Sequence, residues 1–156
     1  MNNIEFKFKN NRDYLHGTDI FNYLVKKKKY TLIDIKFKKP LNSIPTIISE
    51  VKNKTIAVEC TLNKFKKKKL FLINSKKKIK NHYLTDESIP KKNIKFTKNS
   101  ISCDYVTKRT PIEILVNLTK KLHQKNVSKN KKWIFTRIVL HKNFNNSLKK
   151  KFRIII

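Results

Sequence analysis

The chain runs twice through one order of patterns: a turn opened by Asp-Tyr, a helix-like stripe behind a threonine, and an alternating strand. The first pass holds Asp13-Tyr14-Leu15-His16-Gly17-Thr18-Asp19-Ile20 and leads to Tyr30–Phe37. The second holds Asp104-Tyr105-Val106-Thr107-Lys108-Arg109-Thr110-Pro111-Ile112, one residue longer, and leads to Trp133–Leu140. The two strand patterns align without a gap. A unit of this kind must bury one helix stripe against one sheet face. The expected fold is therefore α+β. It has two related halves, 1–74 and 93–156, joined by a connecting segment 75–92 within a single domain, 1–156. Two helices should pack on one face of a mainly antiparallel sheet, about a pseudo-twofold axis. The competing explanation is chance, since short apolar runs in an Ile- and Lys-rich chain look alike.

Residue by residue, Ile4, Phe6 and Phe8 alternate with Glu5, Lys7 and Lys9, which predicts a half-buried strand ended by Asn10-Asn11. Thr18 is the expected cap of a first helix, with Asp19 in its positive first turn. Ile20, Phe21, Leu24 and Val25 form its apolar stripe. In Tyr30–Phe37, the face with Thr31, Ile33, Ile35 and Phe37 alternates with Tyr30, Leu32, Asp34 and Lys36. Further strands are expected over 46–51, 55–62, 69–73, 93–97, 101–106 and 152–156. Thr110-Pro111-Ile112-Glu113 reads as a capping box with proline at the first helical position. Ile112, Leu115, Val116, Thr119, Leu122 and His123 follow it on one predicted helix face.

Composition limits what the charge can mean. The formal net charge is +29. Yet Lys, Asn and Ile supply 73 of 156 residues, Gly and Ala one each, and Arg four. Compositional drift of this kind fills surfaces with Lys and Asn whatever the protein binds. Nonspecific attraction to polyanions follows from the charge; a specific partner does not. Cys60 and Cys103 sit on apolar strand faces and read as free, buried thiols. No apolar run approaches the roughly 20 residues of a membrane helix. The first residues carry no basic-then-apolar signal. These features place the chain in the cytoplasm and away from the membrane, as an expectation. No metal-ligand spacing and no cofactor fingerprint is present, and one glycine leaves no phosphate-cradling loop.

The candidate site is His16-Gly17-Thr18-Asp19. His16 and Asp19 are the candidate catalytic acid–base residues. Gly17 permits a close backbone approach, and Gly17 and Thr18 lie where helix N–H groups can meet a carbonyl or anion. Arg12 and Arg109, each just before a helix start, are candidate ligand-binding residues suited to a carboxylate or phosphate. The ungapped register makes Asp34 and Arg137 equivalent. They are expected to pair near the axis, among Tyr30, Leu32, Trp133 and Phe135, as a structural ion pair or as the charged floor of a ligand pocket. A helix N-terminus set against an antiparallel sheet resembles the layout of thioester-handling hotdog proteins.

The expected function is binding of an unknown small molecule or acyl/thioester group in a pocket between helix N-terminus and sheet, with catalysis there open. One alternative is an RNA-binding or ribosome-associated basic protein, with strand aromatics stacking bases. Another is a structural module whose apolar sheet face forms a homodimer.

Overall fold

The computed structural model describes residues 5–25, 30–51, 55–86, 88–97, 100–104, 108–126, 136–144 and 152–155. Phe8–Lys9 forms β1, Gly17–Val25 α1, Tyr30–Phe37 β2, Ser43–Ile48 β3, Val58–Asn63 β4, Lys67–Lys78 β5 and His82–Tyr83 β6. Ile94–Phe96 forms β7, Ser100–Cys103 β8, Pro111–Asn126 α2, Arg137–Phe144 β9 and Phe152–Ile155 β10. Among the described residues no helix is long and apolar enough to cross a membrane.

The fold is α+β with mainly antiparallel strands. Among the described residues the main sheet has five strands in the order β3-β5-β4-β2-β9, every pair antiparallel. A second antiparallel sheet runs β10-β8-β7. The short β1 and β6 pair in parallel, Phe8 opposite His82 and Lys9 opposite Tyr83. Asn10 leaves β1 with a positive φ of 53°, a conformation its short polar side chain tolerates.

The helices divide the core between these sheets. Ile20, Phe21, Leu24 and Val25 of α1 bury against Ile33 and Ile35 of β2, Val58, Cys60 and Leu62 of β4, Leu72 of β5 and Ile138 of β9. Each strand offers alternate residues to that face, as the period of two requires. α2 is shared. Ile112 joins the α1 cluster, with Val116 packed against it. Ile114, Leu118 and Leu122, spaced one turn apart, pack with Ile101 and Cys103 of β8 and with Ile89. The face expected of α2 is corrected by this arrangement. Leu115 is only half-buried, because the helix is covered on two sides and its deepest stripe meets the second sheet.

Several local expectations change for tertiary reasons. The 75–92 segment is largely organised: β5 runs on to Lys78, Ile79 and Ile89 are buried, and β6 lies within it. Tyr30 does not share a face with Leu32 and Asp34. A register shift between Tyr30 and Leu32 interrupts the alternation, and Tyr30 packs against the α1 core. The expected start of the second long strand, with Trp133 and Phe135, lies outside the described residues; β9 begins at Arg137.

Candidate functional site

α1 begins two residues earlier than the sequence suggests. The His16 carbonyl accepts from Asp19 N–H at 3.0 Å and Ile20 N–H at 3.1 Å, so His16 is the cap and Gly17 the first helical residue. Thr18 therefore lies inside the first turn. It is buried, and its hydroxyl shares a 2.7 Å hydrogen bond with His16 Nδ1. Gly17 has no positive φ. A Cβ there would lie 3.4 Å from the Phe37 ring, so the close approach is to a side chain at the end of β2.

Asp19 follows on the first turn and is half-buried. Its Oδ2 accepts the Tyr83 hydroxyl at 2.8 Å. Burial pushes the Asp19 carboxyl above its ordinary pKa, and the nearby Glu113 carboxylate adds to the rise. The Tyr83 hydrogen bond and the Lys9 and Arg12 charges oppose it without cancelling it. Tyr83 reaches this place because β6 pairs with β1.

Asp19 and Tyr83 open into a depression of about 330 Å³. Phe6, Leu15 and Tyr23 line it with apolar surface, and Asn22, Glu5 and Lys7 add polar groups. Phe6 and Tyr23 meet edge to face at 4.8 Å. Glu5 and Lys7 are held together by a 3.0 Å ion pair. Apolar walls with a few convergent polar groups are the usual make-up of a small-ligand pocket.

A second acid-bearing helix start lies beside the first. In α2 the Thr110 N–H donates to Glu113 Oε2 at 2.9 Å and the Thr110 hydroxyl at 3.0 Å, the carboxylate half of a capping box. Glu113 Oε1 meets Lys9 Nζ at 3.2 Å. Burial alone would raise the Glu113 pKa. The Thr110 N–H and the Lys9 ammonium outweigh it and hold the carboxyl below its ordinary value. Lys9 is only 2% exposed. The alternation of 4–9 predicts a solvent-facing lysine; instead its ammonium turns inward to the first turn of α2. Asn22, in the second turn of α1, donates to the Thr110 hydroxyl at 3.5 Å, so α1 also touches the start of α2 directly. Lys9, Asn22, Tyr83 and Glu113 thus join the site without having been expected there. Only Glu113 left a signal, the capping-box spacing.

The other expected site residues lie elsewhere. Arg12 Nη1 donates to the Lys9 carbonyl at 3.3 Å, near enough for its charge to act on Asp19. Arg109 Nη2 donates to the Ser88 carbonyl at 3.4 Å, in an exposed setting. Asp34 and Arg137 do meet, in a two-point contact of 2.9 and 2.8 Å. They do so on the sheet face away from α1, since the alternating Ile33 and Ile35 face the helix. The pair is half-open, with Arg137 52% and Asp34 19% exposed, and takes no part in the depression at Asp19. Cys60 is buried in the main core, and burial pushes its thiol up to about 12, out of nucleophilic use. Comparisons with protein-family models, with curated proteins and with solved structures find no match for this chain.

Proposed function

We propose that this protein binds a small molecule carrying an acyl or thioester group in the depression at the first turn of α1, with Asp19 holding or moving a proton there. The observation that supports it best is the placing of Asp19. A half-buried carboxyl with a raised pKa shares a hydrogen bond with Tyr83 and opens into a depression walled by Phe6, Leu15 and Tyr23. Raising a carboxyl pKa by burial moves it toward the range in which it can exchange protons near neutral pH. The apolar walls suit an acyl chain. The positive end of α1 suits a carbonyl oxygen or an anionic group. His16 acts through Thr18 in this reading, fixing the first turn rather than touching the ligand. The related-halves reading is kept with it, since the matched residues Ile35 and Ile138 face each other across the β2–β9 ladder.

The test is a ligand-observed NMR screen of short acyl thioesters and their free acids. Asp19→Asn and Tyr83→Phe should lose binding of any hit. Asp19→Asn should keep or raise the melting midpoint at pH 7, because burying the ionised carboxyl is unfavourable. A hit whose binding is indifferent to both changes would remove Asp19 and Tyr83 from the site. The absence of any acyl hit would remove the ligand class.

A further inference from the structure

We infer that the β4–β5 hairpin end is a binding site for single-stranded nucleic acid, centred on residues that take no part in the depression at Asp19. The hairpin turns over three residues, Lys64-Phe65-Lys66, between the paired Asn63 and Lys67. Phe65 at its tip is 92% exposed. Lys64 Nζ lies 4.8 Å from the centre of its ring. Lys66, Lys67 and Lys68 follow directly and are all exposed. Among the described residues, none of Lys64, Lys66, Lys67 and Lys68 has a carboxylate in ion-pair reach, whereas Lys69, next along, is paired with Glu59 at 3.0 Å. The tip therefore carries a run of uncompensated cations around one open aromatic face.

A second aromatic feature lies at the same end of the sheet. Tyr30, with Tyr23 (which also walls the depression at Asp19), lines a depression of about 210 Å³ over Leu62 and Leu70, and Lys68 borders it. Tyr30 reaches it because the register shifts at the start of β2. Overall charge explains attraction to any polyanion. It does not explain an open ring and a tyrosine-lined slot beside the same lysines. Single-strand binders combine these parts: cations that follow the phosphates, and aromatic rings on which unpaired bases stack. An anionic membrane would also attract the lysines. Residues 63–69 hold no apolar side chain besides Phe65, which is little to insert into a bilayer but enough to stack one base.

The experiment measures fluorescence anisotropy of a labelled oligouridylate with the full chain over a series of salt concentrations. Phe65→Ala leaves the charge unchanged and should weaken binding by about tenfold at fixed salt. Replacing Lys66, Lys67 and Lys68 together with Gln should weaken binding and reduce the salt slope by about 2. The control replaces Lys76, Lys77 and Lys78, exposed at the far end of β5, and removes the same charge. It should do much less. All these side chains are exposed, so the variants should fold, which circular dichroism checks. The proposal is overturned if the two triple variants weaken binding equally and Phe65→Ala does not. It is also overturned if a duplex of equal length binds as well as the single strand. The same holds if phosphatidylserine vesicles, and not the oligonucleotide, show the Phe65 dependence.

Discussion

Asp34 and Arg137 stand 103 residues apart in the chain and form a two-point contact, Nε on Oδ1 at 2.9 Å and Nη2 on Oδ2 at 2.8 Å. The contact is diagonal: Asp34 lies opposite Val139, and Arg137 opposite Lys36. The guanidinium holds the Asp34 carboxyl below its ordinary pKa. It joins the edge strand β9 to β2, but in contact with water. A double-mutant cycle of Asp34→Asn and Arg137→Lys in urea melts should therefore give a coupling far smaller than the cost of a core truncation. The coupling should shrink further as salt is added. A large, salt-insensitive coupling would mean the pair is shielded from solvent.

The two sides of α2 should answer differently to truncation. Leu118 is fully buried against the second sheet, so Leu118→Ala should cost about 2–5 kcal/mol. Leu115→Ala, at a half-buried position, should cost clearly less. Thr110→Ala removes the hydroxyl that donates to Glu113 at the helix start and should cost about 1 kcal/mol. Glu113→Ala removes both the reciprocal cap and a carboxylate partner of the buried Lys9, and should cost about 3–5 kcal/mol. Urea midpoints at constant slope measure all four. Equal losses at Leu115 and Leu118 would contradict the packing.

Gly17 is the sole glycine, and its backbone does not require one. A methyl group would meet the Phe37 ring at ordinary contact distance. Gly17→Ala should then be neutral or stabilise by up to about 1 kcal/mol, through reduced freedom of the unfolded chain. Gly17→Leu should push into Phe37 and lower the melting temperature. A marked loss of stability with alanine would point to a conformation other than the one observed.

Glu59 governs part of the acid limb. Hydrogen bonds from Lys38 at 2.8 Å and Lys69 at 3.0 Å hold its carboxyl at about 2, against an ordinary 4.5. A depressed folded-state pKa means that the unfolded chain binds the proton more readily. The contribution to stability is thus complete above pH 4.5 and is lost as pH falls toward about 2. Glu59→Gln should lower stability at neutral pH and converge with the parent at the acid end. Asp19 has the opposite sign. Its pKa is raised, so its ionisation costs stability as pH rises above the ordinary 3.8. Asp19→Asn should therefore flatten the profile in that range. Urea midpoints across pH check both, and parallel parent and Glu59→Gln profiles would remove Glu59 from the acid limb.

The parts of this protein readable in the sequence are those decided within one turn or one strand. Tyr30–Phe37 is a strand with its expected ends, and from Leu32 onward it alternates as expected, because alternation needs only the residues themselves. The carboxylate half of the capping box at Thr110 forms because its partners are three residues apart on one helix turn. The α1 stripe buries as its spacing requires. Tertiary structure decided the rest. Lys9 looks like a solvent-facing strand residue until α2 brings Glu113 to it. Tyr83 sits in a charged connecting stretch until β6 pairs with β1 and sets its hydroxyl on Asp19. Asp34 and Arg137 could be matched by register, but which sheet face they occupy depends on where α1 lies. Leu118 outranks Leu115 only because a second sheet covers that side of α2. Periodicity tells a chain which residues share a face. It does not say which neighbour covers that face, because the neighbour comes from distant sequence and is chosen by how the layers pack.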